Sequence, residues 1–88
     1  MTWTRERVRG ELIELFGQHL QQGASVAESS HLVADLGIDS LGVMEIVAAI
    51  EDRFGLNIPD EALREVETVA DVAAAIETRL QREGRLQG

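Results

Sequence analysis

The chain has 88 residues, a formal net charge of −8, 44% apolar residues and no cysteine, which leaves room for one small hydrophobic core and no second domain. Without cysteine there are no disulfides and no thiolate metal sites, and the acidic balance argues against a nucleic-acid or anionic-membrane surface. No apolar run reaches the ~20 residues of a membrane span, and Met1-Thr2-Trp3-Thr4-Arg5-Glu6 lacks the apolar stretch of a secretory signal, so a soluble cytoplasmic monomer is expected.

Charge is unevenly placed. Residues 35–67 hold nine acids against Arg53 and Arg64, a net of −7, whereas residues 1–34 and 68–88 are close to neutral. An acidic middle third attracts basic partner surfaces, and the plainer alternative is a solvated face that aids solubility. The only aromatics are Trp3, Phe16 and Phe54, so the core has to be built from aliphatic side chains, which suits helices packed on helices.

The first periodic segment spans about residues 4–20. Val8, Leu12, Leu15 and Phe16, followed by His19 or Leu20, recur on one face of a helix. Gln21-Gln22-Gly23-Ala24-Ser25 supplies a stop. Residues 21–38 form a long connection, with Val26, Leu32, Val33, Leu36 and Ile38 as apolar anchors.

A second helix is predicted from Asp39 or Ser40, where a short oxygen-bearing side chain caps free amides, to Arg53 or Phe54, with Gly55 as its stop. Val43, Ile46, Val47, Ile50 and Phe54 form its inward stripe. Leu41, Met44 and Ala48 fall off that stripe beside Glu45, Glu51 and Asp52. They either seal the preceding loop or form a contact patch.

Pro59 and Asp60 open a short third helix through about Val66, with Leu63 and Val66 turned inward. Thr68-Val69-Ala70-Asp71 is close to a capping box and starts a last helix with Val69, Val72 or Ala73, Ile76 and Leu80 on one stripe. No strand pattern is visible, and residues 82–88 read as a fraying tail beyond a core of about residues 4–81. The expected fold is all-α: a four-helix bundle of three long helices and one short one, with a long loop between the first two.

The strongest local signal is Leu36-Gly37-Ile38-Asp39-Ser40-Leu41, at a loop-to-helix junction. It resembles the phosphopantetheine attachment motif of acyl carrier proteins. The likeness extends through Asp35-Leu36-Gly37, Glu45-Ile46-Val47, Ile50-Glu51, Phe54-Gly55-Leu56-Asn57-Ile58-Pro59-Asp60 and Thr68-Val69-Ala70-Asp71-Val72. The resemblance implies a covalent 4′-phosphopantetheine on Ser40, flanked by Asp39 and Leu41. It further implies thioester-bound acyl cargo, a phosphopantetheinyl transferase as partner, and acyltransferases or ketosynthases of fatty-acid or polyketide synthesis. Leu41, Met44, Glu45, Ala48, Glu51 and Asp52 are then the expected partner face. An exposed hydroxyl at a helix start also suits a phosphodiester, which the helix dipole favours by about 0.3–1 kcal/mol. The bundle interior near Ile46, Ile50, Leu63, Val66 and Ile76 is a candidate seat for a short acyl chain.

Other chemistry fits poorly. A serine-hydrolase elbow needs glycine where Ile38 stands, only His19 and His31 are available as a base, and no strands supply a hydrolase sheet. A calcium loop starting at Asp35 fails at Gly37 and at Ile46, so no metal site and no catalysis by the chain itself are expected. Two other readings stand beside the acyl carrier. One is an aminoacyl or peptidyl carrier, whose usual Gly-Gly before the serine step is replaced by Gly37-Ile38. The other is an unmodified acidic interaction module.

Overall fold

The computed structural model describes residues 2–20 and 26–87. In chain order they form β1 (Trp3–Thr4), α1 (Arg5–Leu20), α2 (Ser40–Phe54), α3 (Asp60–Leu63), α4 (Val69–Arg82) and β2 (Leu86–Gln87). The expected stop at residues 21–25 lies outside the described residues.

Helix α1 starts where Thr4 Oγ1 accepts the Arg7 amide at 3.1 Å and buries Val8, Leu12, Leu15 and Phe16. His19 is exposed, and Leu20 takes the last place on the stripe. Helix α4 buries Val69, Val72, Ala73, Ile76 and Leu80. Its capping box is complete: Thr68 Oγ1 accepts the Asp71 amide at 3.2 Å, and Asp71 Oδ2 accepts the Thr68 amide at 3.0 Å. Between α1 and α4 lies Glu77, whose carboxylate is almost wholly buried and pairs with Arg9 at 3.2 Å and Arg5 at 3.7 Å. Arg9 also pairs with Glu28, so one arginine ties the long loop and α4 to α1. These carboxylates raise the Arg9 pKa further, Glu77 contributing most.

Residues 26–38 of the long connection are held by more hydrogen bonds than their composition suggests. The Ala70 and Val69 amides, orphans of the α4 N-terminus, donate to Glu28 O at 2.8 Å and Ser30 O at 3.1 Å. His31 and Thr68 form an antiparallel bridge. Residues 31–36 then wind into a turn in which the Asp35 and Leu36 amides both donate to His31 O at 3.0 Å. Leu32 and Ile38 drop from this segment into the core.

Three expectations are corrected. Helix α3 ends at Leu63 rather than Val66, and Pro59 is its N-cap rather than a first-turn residue. The reason is the bridge just downstream: the Leu32 amide donates to Glu67 O at 2.9 Å, and Thr68 is held in extended backbone opposite His31. Strands do exist, as β1 and β2 pair in parallel, Trp3 opposite Leu86 and Thr4 opposite Gln87. The segment marked as a fraying tail is thereby placed against the body. Arg85 donates to Gly55 O at 3.1 Å and also to Phe54 O, while Trp3 lies 4.6 Å from the Phe54 ring, with Arg7 above it at 4.7 Å. The β1–β2 pair therefore closes over the C-terminus of α2. Among the described residues, no helix is long and apolar enough to cross a membrane.

Candidate functional site

Gly37 adopts φ +66, a left-handed turn that suits glycine, and the chain then enters α2. Asp39 is the N-cap: its Oδ1 accepts the Gly42 amide at 2.8 Å and its backbone oxygen accepts the Val43 amide at 2.9 Å. Gly42 suits this geometry. A Cβ there would stand 3.0 Å from Ile38 Cγ2 and 3.2 Å from Asp39 Oδ1, so the buried Ile38 or the cap would have to give by a few tenths of an ångström. Its position, second after a motif serine, is the only sequence signal for it.

Ser40 is the first residue of α2 and is exposed. With the Gly42 amide capped, the amides of Ser40 and Leu41 make no hydrogen bond to the described residues. An exposed hydroxyl beside two unspent amides at the positive end of a helix fits a phosphodiester. Neither histidine reaches the serine by a hydrogen bond. His19 Nδ1 is 3.2 Å from Leu15 O, and His31 Nδ1 accepts the Val33 and Ala34 amides at 3.2 and 3.0 Å. Among the described residues there is also no group of three His, Asp or Glu side chains placed to hold a metal ion.

On the outward side of α2, Leu41 is 64% exposed and Met44 68%, far more than a loop seal requires. Glu45, Ala48 and Asp52 are exposed along the same helix. Glu51 differs from that set. It is half-buried, and its Oε2 accepts the Ile58 amide at 2.8 Å, so it is committed to the α2–α3 connection. Val33, in the turn before the motif and treated in sequence as an anchor, is instead 63% exposed.

Behind α2 lies a largely apolar cavity of about 320 Å³. Ile46, Ile50, Leu63 and Val66 line it as expected, but Ile76 does not; Val72 and Ala75 present α4 there instead. Ile76 is fully enclosed in the core. Half-buried Val43 and Val47 complete the α2 wall, and His31, Leu32 and Val33 form the loop side.

Residues 6–76 match the family model described as the phosphopantetheine attachment site. An acyl carrier protein of Wolinella succinogenes is 51% identical over 53 residues, 60% of this chain and 70% of the relative. One from Zymomonas mobilis is 35% identical over 77 residues, 88% of this chain and 95% of the relative. In fold, the chain is similar to a solved structure of a candidate acyl carrier protein from Mycobacterium tuberculosis. The TM-score is 0.76 at 24% identity, covering 81% of this chain and 96% of that one. With the motif serine at the head of α2 and the matched segment running from α1 into α4, the chain belongs to the acyl carrier proteins of the phosphopantetheine-attachment family.

Proposed function

We propose that Ser40 carries the phosphopantetheine and that the chain shuttles acyl groups between enzymes of fatty-acid or polyketide assembly. The observation that carries this reading is the exposed Ser40 hydroxyl at the first position of α2, next to two amides free to meet a phosphodiester. When bound, the arm supplies a terminal thiol, which this cysteine-free chain lacks, to hold cargo as a thioester. The protein's part is positional. Asp39 fixes the start of α2, Gly42 leaves room for that cap, and the exposed serine needs no internal base because the transferase supplies base and Mg²⁺.

Leu41, Met44, Glu45, Ala48 and Asp52, joined by Val33, form the docking face for the transferase and for acyl-processing enzymes such as acyltransferases and ketosynthases. Glu51 supports that face from within. The cavity behind α2 receives a short acyl chain, its walls being mostly hydrocarbon. The carrier works as a cytoplasmic monomer.

Incubation with coenzyme A and a broad-specificity phosphopantetheinyl transferase tests the reading by intact mass. The wild type is expected to gain one phosphopantetheine, mapped to Ser40, and a folded Ser40→Ala variant none. Modification at another serine, or no mass change with an active transferase, rejects it.

A further inference from the structure

Resting on the reading that the cavity behind α2 seats the acyl chain, we propose that His31 is a specificity-determining residue in its wall. Its Nε2–H offers a hydrogen bond to an oxygen on the carried chain, so the cavity favours keto- or hydroxy-bearing acyl groups over fully saturated ones.

The argument starts from how the ring is held. The His31 amide donates to Asp35 Oδ2 at 2.7 Å, its carbonyl accepts two amides of the following turn, and its backbone is bridged to Thr68. At the ring, Nδ1 accepts the Val33 and Ala34 amides at 3.2 and 3.0 Å. A ring nitrogen that accepts N–H groups carries no proton, so this hydrogen-bond network assigns the proton of the neutral ring to Nε2. That N–H has no hydrogen-bond partner among the described residues. His31 is half-buried and contributes to the cavity wall. With Nδ1 turned to the loop amides, the Nε2 edge is left to the cavity wall, a further neighbour of the ring being Asp71, on whose carboxyl its charge acts.

The rest of the wall makes this donor distinctive. Apart from His31, the only ionisable side chain lining the cavity is Glu67, which as a carboxylate accepts hydrogen bonds and cannot donate one to a carbonyl. The remaining lining residues are aliphatic or phenyl, and hydrocarbon walls separate chains differing by one methylene only by about 10–200-fold. A fixed donor discriminates differently. A saturated chain seated against it shields the N–H from water without replacing the lost hydrogen bond, whereas a chain oxygen restores it.

The test loads Ser40 with octanoyl, 3-oxooctanoyl or 5-oxooctanoyl phosphopantetheine, by transferase from the matching acyl coenzyme A, and compares melting temperatures with the unacylated arm-bearing protein. All three chains are expected to raise the melting temperature, and at least one oxo chain to exceed octanoyl by about 4–8 °C, the shift of roughly one hydrogen bond in a domain this size. That excess should vanish in His31→Leu and in His31→Asp; the second keeps an acceptor for the loop amides and has no donor. In wild-type protein carrying ¹⁵N-histidine, the favoured oxo chain alone should move the His31 Nε2–H resonance downfield, a readout that does not depend on either variant folding. Equal stabilisation by all three chains, an oxo excess that survives in His31→Asp, or an unmoved Nε2–H resonance overturns the inference while leaving the cavity reading in place. If no acyl chain raises the melting temperature, the cavity reading itself fails and the role of His31 falls with it.

Discussion

Glu51 accepts three amides at the end of α2. Its backbone oxygen accepts the amides of Gly55 and Leu56, and its side chain accepts the Ile58 amide at 2.8 Å. Removing that carboxylate leaves an amide in the part-buried connection without its partner. Glu51→Ala is therefore expected to lower stability by about 1–3 kcal/mol in urea unfolding, and Glu51→Gln, which keeps an oxygen, by less. Equal behaviour of the two would place the effect in packing rather than in the hydrogen bond. Asp71 makes a comparable commitment at the other end of the core. The Glu67 and Thr68 amides hold its carboxyl below the ordinary range, Glu67 contributing most. Since its folded pKa is depressed, the unfolded chain binds the proton more readily. The stabilisation is thus present above the unfolded value of about 3.9 and is lost as pH falls through the lower folded value. Asp71→Asn keeps a side-chain acceptor but removes the titration, so its stability should fall less steeply than the wild type's when acidified from about pH 5 to pH 2. Parallel acid limbs would show that Asp71 is not the group responsible.

Elements whose burial is periodic and whose ends carry short-range chemical signals are visible in the sequence. The stripe from Val8 to Phe16 is one. The α2 start at Asp39-Ser40, its Gly55 stop and the Thr68–Asp71 box are others, because each depends on side chains within a few positions of the backbone they satisfy. What is invisible depends on tertiary contact. The α3 helix is cut short by a hydrogen bond from Leu32, a residue 35 positions before the Glu67 carbonyl it meets, and no local pattern around Val66 reports it. Glu51 looks like any outward acid until the loop brings Ile58 under it. Two-residue strands cannot show alternation, and β1 meets β2 only because the start of α1 and the end of α4 lie at one end of the bundle. Both strands of that closure lie outside the segment matching the family model, residues 6–76. Arg85 is its link to α2, and Trp3, the sole tryptophan, reports on it. Arg85→Ala is expected to red-shift Trp3 emission and speed exchange of the Trp3 amide, which donates to Arg85 O at 2.8 Å. The Ile76 amide in mid-α4 should be unaffected, because local opening at a chain end leaves the core foldon closed. Unchanged emission and exchange would mean that strand pairing holds without the guanidinium.

At the scale of the molecule, the concentration of charge sets two effects against each other. The net −7 of residues 35–67 runs from the turn before α2 to the segment after α3, and none of its acids is ion-paired among the described residues: Arg53 reaches across to Glu11 on α1 instead, and Glu45 and Asp52 stand exposed. Crowded like charges repel in the folded state, yet the same field draws in basic surfaces. Screening acts over about 10 Å at 0.1 M salt and about 3 Å at 1 M. Added salt should therefore raise the melting temperature of the free carrier while slowing its encounter with the transferase, chiefly through the association rate. Structure refines which reversals test this. Glu51 is unsuitable because reversing it would break the Ile58 contact. Glu45→Arg and Asp52→Arg remain clean, with Glu14→Arg on α1 as the control, an exposed acid away from the motif whose only side-chain hydrogen bond among the described residues is a long one of 3.4 Å from Gln18. The two α2 reversals are expected to slow modification of Ser40 more than Glu14→Arg does, with the difference shrinking at high salt. Leu41→Ala and Met44→Ala should slow it by an amount that persists in salt, because their loss is apolar contact rather than charge. If Glu45→Arg and Asp52→Arg match Glu14→Arg across several partner enzymes, the acidic face serves solubility, and docking rests on the apolar residues around Ser40 alone.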